Sequence, residues 1–479
     1  MGSFDHALRG EGLPLFVSLY LAAVLMPVLF NIGPLALTPM RALLLLAMPY
    51  LGVRLVLGHF GKLNAADIFF FLHILWATVA VAVNNPANVV QNVGSTAAEF
   101  LGGYLVARAY IRTPRQYESL LLSLLLITLA LLPLTIPELL NGKAIVPMLI
   151  EKLPGLRSVE DVANPPRMGL ERVQNVFAHP IHYGLYSSIP FISVVYGLRH
   201  RLNLFWRVIA AAGIAFAVFA SLSSGALLAL LLQIAVLAWA LIFRKVPVKW
   251  LMLLGLFVML YVAIDLFSNR TPMRVFMSYA TFSSQTAYYR AAINEWGWFN
   301  VSQNPIFGLG LRDWDRPAYM ESGSVDNFWL LNAMRYGIPG VLLLGCGCFA
   351  GVVKVACRDT SANGVVDGFR LTWVITCLGM AFTLVTVHVW NNAFSFVFFF
   401  FGSGLWIASY KASDQDTLTA EKPSARPPLA YRRTHPSAGS RPSAAADESS
   451  KLAPGADRSA LRYSRKPPTE KPDPKGGSR

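Results

Sequence analysis

The chain has 479 residues, 54% of them hydrophobic and 14% charged, with a mean hydropathy of +0.48, which excludes a soluble globular protein and indicates an integral membrane one. Its formal net charge of +15 does not indicate a nucleic-acid partner, because the Lys and Arg residues are dispersed in short turns between apolar runs and in a polar tail.

Apolar runs long enough to cross roughly 30 Å of hydrocarbon fall at about 13–30, 36–57, 66–83, 93–110, 117–137, 181–198, 204–221, 225–243, 248–266, 327–353, 370–387 and 389–410. The expected fold class is therefore an all-α integral membrane protein with about twelve transmembrane helices. The first run is long enough to remain as an anchor. Residues 1–410 make one polytopic membrane domain, with long loops at about 138–180 and 266–326. Residues 411–479 are rich in Pro, Ser, Ala, Lys and Arg with almost no large apolar side chains. Such a composition cannot build a core, so this tail is expected to be disordered.

Charge alternates from loop to loop. Arg54 and Lys62, Arg108 to Arg115, Arg199 to Arg207, Arg244 to Lys249, and Lys354 to Arg370 mark one side, whereas Asn31 to Pro34, Asn84 to Asn92 and Ser221 to Gly225 carry no Lys or Arg. The positive-inside rule then places both termini in the cytoplasm. The two long outer loops break the pattern, with Lys143, Lys152, Arg157, Arg167 and Arg172 in the first and Arg270, Arg274, Arg290, Arg312 and Arg316 in the second. Long loops are exported largely regardless of charge, so these arginines are either incidental or functional. The second loop also holds an aromatic stretch, Tyr288 to Val301, expected to be an interfacial helix with its aromatic bulk along one side. Cys346, Cys348, Cys357 and Cys377 have no CxxC spacing and read as small apolar residues.

Two stretches concentrate polar groups at span edges, where polar chemistry usually marks function. The first runs from Arg172 through Gln174, Asn175, Phe177 and His179 to Pro180; an arginine there presents a planar fork to phosphate oxygens, or simply snorkels to lipid headgroups. The second begins at Arg290, continues through the turn Asn304 to Gly310, and reaches Asp326-Asn327-Phe328-Trp329-Leu330, Arg335 and Gly337-Ile338-Pro339-Gly340. Asp326 at a span mouth is either a helix N-cap, the commoner role, or a base for a sugar hydroxyl. Asp313-Trp314-Asp315 has the spacing of a metal-binding acidic pair, yet Arg312 and Arg316 flank it. His179 and His182 lack a third ligand, and no metal is expected.

Taken in order, these stretches resemble the O-antigen ligase and polymerase superfamily of bacterial polytopic membrane glycosyltransferases, over roughly residues 170–345. In that family an Arg lies five residues before a Phe that precedes a His-Pro pair opening a span, as Arg172, Phe177, His179 and Pro180 do here. The later Arg, the Asn-Pro-x-x-Gly-x-Gly turn and the closing Gly-Ile-Pro-Gly have counterparts at Arg290, Asn304 to Gly310 and Gly337 to Gly340. Three departures stand out. Asp326-Asn327-Phe328-Trp329-Leu330 replaces the ligases' His-Asn-x-Tyr-Leu, Ser223-Ser224-Gly225 replaces Ser-Arg-Gly, and Pro180-Ile181 replaces Pro-Asn.

The resemblance implies a lipid-donor glycosyltransferase (GT-C-like) architecture in a bacterial cytoplasmic (inner) membrane. It implies no cofactor and no nucleic acid; the partners would be an undecaprenyl-diphosphate-linked oligosaccharide donor, a glycan acceptor, membrane lipids and other polysaccharide assembly proteins. Arg172, Arg290 and Asp326 are the expected catalytic residues, and His179, Asn327 and Arg335 join the two arginines in binding substrate. The expected activity is polymerisation of surface polysaccharide or exopolysaccharide repeat units, since the ligase base is replaced by Asp326. The alternatives are a ligase acting on a lipid or protein acceptor, and a transporter or flippase. A transporter would gather its polar groups near mid-bilayer between two related halves.

Overall fold

Each of the twelve apolar runs contains helix. The structure, a computed structural model, describes residues 12–32, 35–160, 165–279, 281 and 284–411; the tail expected to be disordered lies outside these from residue 412 on. Among the described residues, eight spans are long and apolar enough to cross a membrane. They are α2 (Pro39–Val56), α3 (Ala65–Asn84), α6 (Pro114–Asn141), α10 (Ser224–Ile242), α11 (Lys249–Phe267), α14 (Phe328–Ala356), α15 (Gly364–Thr383), and α16 (Asn391–Ser403) with its continuing turn. The molecule is thus an all-α, multi-pass membrane protein.

The other four runs are short or interrupted. α1 (Leu15–Leu25) stops just before Pro27, which cannot continue a helix. The run at 93–110 is α4 (Val89–Ala97), a π-helical turn at Ala98–Gly102, and α5 (Gly103–Tyr110). The run at 181–198 is α8 (Pro180–Ser188), a break at Pro190, and a π-helical turn at Ser193–Gly197. α9 (Leu204–Ala220) has 17 residues. Between α1 and α2 lies a small antiparallel sheet, in which β1 (Val28–Ile32) pairs with β2 (Leu35–Leu37) and with β3 (Arg157–Ser158).

Helix starts follow local chemistry. Thr38, Asn64, Thr113, Asn203 and Ser223 each accept a backbone N–H of the following first turn, and Pro occupies the first turn of α2, α6 and α8. The centre is aromatic. Phe70 of α3 meets Phe100, Tyr104, Phe398 and Phe401 at centroid distances of 5.0 to 5.7 Å. At one end of the bundle, acidic groups are matched: Asp67 accepts from Tyr104 and Arg108, and Glu118 pairs with Arg201 at 2.8 Å.

α14 is broken on purpose. Gly337 sits at φ 70°, ψ −179°, a region essentially reserved for glycine, and Pro339 has no N–H to return to Arg335. The carbonyls this frees find other donors: Leu309 N–H reaches Met334 O at 2.7 Å and Gly310 N–H reaches Arg335 O at 3.0 Å. Trp76 Nε1 reaches Tyr336 O at 2.8 Å. The Asn304–Gly310 turn is therefore the backbone partner of the helix break.

The second long loop contains α12 (Pro272–Tyr279) and α13 (Ser284–Gln303). α13 is the helix expected over Tyr288 to Val301, but its aromatics do not share its packed side. Ala287, Arg290, Ile293, Gly297 and Val301 are buried, while Tyr288, Trp298 and Phe299 are exposed. Small residues win the packed side because α13 lies close on α14: a Cβ at Gly297 would stand 2.5 Å from Leu330.

Candidate functional site

The segment from Arg172 to Pro180 is held from beneath by α6. The buried carboxylate of Glu138 accepts from Gln174 N–H at 2.7 Å and from Asn175 N–H at 3.1 Å. Asn175 adopts φ 56°, and its amide donates to Leu131 O and to Thr135 Oγ1. Val173 N–H meets Ala220 O at 3.1 Å, and Phe177 is buried 5.0 Å from Tyr186. Asn175 and Phe177 thus position the segment. His179 caps α8 by accepting Ile181 N–H on Nδ1 at 3.1 Å. Burial, then Arg172 and Arg167, lowers its pKa to about 4. The ring is neutral at physiological pH, and with Nδ1 accepting, its proton lies on Nε2.

Three guanidinium groups meet above α10. Arg290 is buried, donates to Ser224 Oγ at 3.3 Å, and stands 3.9 Å from the Asp326 carboxylate. Arg167 donates to Leu222 O at 2.7 Å. Arg172 completes the group: burial, then Arg167 and Arg290, lowers its pKa to about 10, with Asp326 opposing. Burial also lowers Arg290 and Arg167, again with Asp326 opposing. All three remain cationic at neutral pH. Like charges gathered in this way are ordinarily unfavourable, and an anion between them is the natural complement.

Asp326 is not the helix cap. Asn327 is, accepting Leu330 N–H on Oδ1 at 3.0 Å, while Phe328 N–H is held by Leu384 O and Val387 O. The amide oxygen of Asn327 is therefore committed to the backbone, and the Asp326 side chain, 40% exposed, faces the arginines. Arg335 is not in this cluster; two turns along α14, it lines a separate cavity.

Arg167, Trp390 and His388 belong to the site region but were not singled out from sequence. The last two apolar runs look nearly continuous, yet residues 384–390 leave the helix and bring Trp390 to His182 at 4.0 Å and to His179 at 5.7 Å between ring centroids. The only sequence signal was a His-x-Trp followed by two Asn inside an apolar stretch. Asp313 accepts from Arg316 at 2.6 Å, and among the described residues no three His, Cys, Asp or Glu side chains are grouped to hold a metal.

These features define a multi-pass helical membrane protein with an arginine-lined site at one end of its bundle. Residues 209–345 match the family model described as O-antigen ligase, and over that segment the match supports the resemblance to the O-antigen ligase and polymerase superfamily. The match covers Arg290, Asp326, Asn327 and Arg335 and begins after Arg172 and His179. No curated protein matches the chain.

Proposed function

We propose that the protein polymerises surface polysaccharide at the outer face of the cytoplasmic membrane, from an undecaprenyl-diphosphate-linked donor. The convergence of Arg167, Arg172 and Arg290 beside the Asp326 carboxylate carries this reading. The guanidinium groups bind the diphosphate and meet the charge that grows on it as the glycosidic bond breaks. His179 and Arg335 serve as further substrate contacts, and Asn327 orients Asp326. The acceptor hydroxyl attacks the anomeric carbon, its proton passes to Asp326, and undecaprenyl diphosphate departs with the bonding electron pair. Direct displacement of this kind inverts the anomeric configuration.

The clustering of charge at one end of the spans favours chemistry on a lipid-linked donor over transport, which places polar groups near mid-bilayer. The ligase reading differs only in the acceptor. Glycan analysis of a deletion strain separates the readings: single repeat units on the lipid carrier support polymerisation, full-length chains stranded on the carrier support ligation, and unchanged surface glycan refutes both.

A further inference from the structure

A second cavity, about 230 Å³, opens at the start of α14 and is walled by Arg41, Glu99, Asn332, Arg335, His388 and Trp390. Phe328, two residues after Asp326, also lines it, so the cavity and the carboxylate share one helix end. Its charges do not cancel. Arg41 is taken up by Glu99 at 2.6 Å and by Asn391 Oδ1 at 2.9 Å. Arg335, half-buried, makes no hydrogen bond or ion pair with any described residue, and burial, then Arg335, lowers the pKa of His388 to about 3. That ring is neutral, and its buried Nδ1 has no hydrogen-bond partner among the described residues. Asn92, Ser95, Thr96 and Asn332 add amides and hydroxyls to the lining. Trp390 forms a shared wall, for it also lines the neighbouring cavity containing His182. The turn that carries it is braced: Asn391 holds φ 52° with its side chain bound by Arg41, and Asn392 donates to Val24 O at 2.8 Å.

An indole wall, hydroxyl-matching amides and one cation without an acid are the fittings for a sugar ring that carries a negative charge. The volume lies below the roughly 300 to 1,000 Å³ of a drug-sized pocket, which suits one ring and not an oligosaccharide. We propose that this cavity seats the terminal sugar of the acceptor and selects a pyranose bearing a carboxylate, which Arg335 engages while Trp390 packs on the ring. The proposal rests on the polymerase reading, since it makes the cavity the acceptor side of the same reaction.

Saturation-transfer NMR on the full chain in detergent, with methyl glucuronide and methyl glucoside as probes, tests it. The wild type should bind the glucuronide more tightly. Arg335→Gln should weaken glucuronide about 10- to 100-fold, the size of a lost charge-assisted hydrogen bond, and leave glucoside unchanged; Arg335→Lys should restore part of the difference, and Trp390→Ala should weaken both sugars. No glucuronide binding by the wild type overturns the proposal, as does equal binding by wild type and Arg335→Gln. Undecaprenyl diphosphate binding on the same preparations reports separately on the donor site. It should fall in Arg172→Ala and persist in Arg335→Gln, and its persistence in Arg172→Ala would sink the donor reading while leaving the sugar result standing.

Discussion

Replacing Arg172 by lysine keeps a cation in place, yet the surroundings of this residue make the exchange non-conservative in a way that pH exposes. Burial together with Arg167 and Arg290 lowers Arg172 from the ordinary arginine range to about 10. A lysine, ordinarily near 10.4, lowered to the same extent would titrate at about 8. The cation is the form that binds the diphosphate, so binding is present below the pKa and lost as pH rises through it. At pH 7 such a lysine is about nine-tenths charged, and at pH 9 about one-tenth. Undecaprenyl diphosphate affinity should therefore fall close to tenfold between these pH values in Arg172→Lys, whereas the wild type stays nearly flat until pH approaches 10. At pH 7 the variant should already be weaker, because lysine lacks the bidentate fork. Equilibrium binding to the detergent-purified chain measures both effects. A variant that binds as tightly as wild type with a flat profile from pH 7 to 9 would refute the proposed contact and the electrostatic reasoning behind it.

Asp326→Asn should abolish chain extension while undecaprenyl diphosphate binding survives; because Asn327 already caps α14, normal helix stability is expected, and polysaccharide of normal length made at a normal rate would remove Asp326 from the mechanism. Gly337→Ala places a side chain against the Ile306 carbonyl at a backbone angle glycine alone tolerates, a strain of about 1–3 kcal/mol before the clash; membrane abundance read by immunoblot should drop, and normal abundance with normal activity would contradict it. Glu138→Ala leaves two buried N–H groups unmatched, at about 1–3 kcal/mol each, and should weaken donor binding through the displaced Arg172 segment, with Glu138→Gln restoring part of the loss; equal binding by Glu138→Ala and wild type would show that the segment holds itself.

The membrane class and the helical runs were legible because hydropathy is a local property, so every apolar run could be read without knowing its neighbours. What interrupts the runs was not. The π-helical turns at Ala98–Gly102 and Ser193–Gly197 answer to packing against other helices, and the exit from helix at 384–390 is invisible in a stretch as apolar as its flanks. That blind spot hid Trp390. Arg167 was hidden for another reason: Leu222 O, on a turn far along the chain, receives its guanidinium.

Asp326 and Asn327 show how far adjacency misleads. Sequence left the cap and the base as rival roles for one residue, whereas the structure divides the candidate roles between neighbours, giving Asn327 the backbone and turning Asp326 to the arginines. The Gly and Pro motifs have a structural part of their own. α13 carries Arg290, and the Asn304–Gly310 turn that follows it is bonded to the carbonyls of Met334 and Arg335, just before the break at Gly337. The helix that carries the buried guanidinium and the helix that starts beside the carboxylate are thereby tied together by backbone hydrogen bonds. In the proposed mechanism, side-chain identity at Arg290 and Asp326 supplies the chemistry, and the glycines and prolines hold the elements that carry the two groups.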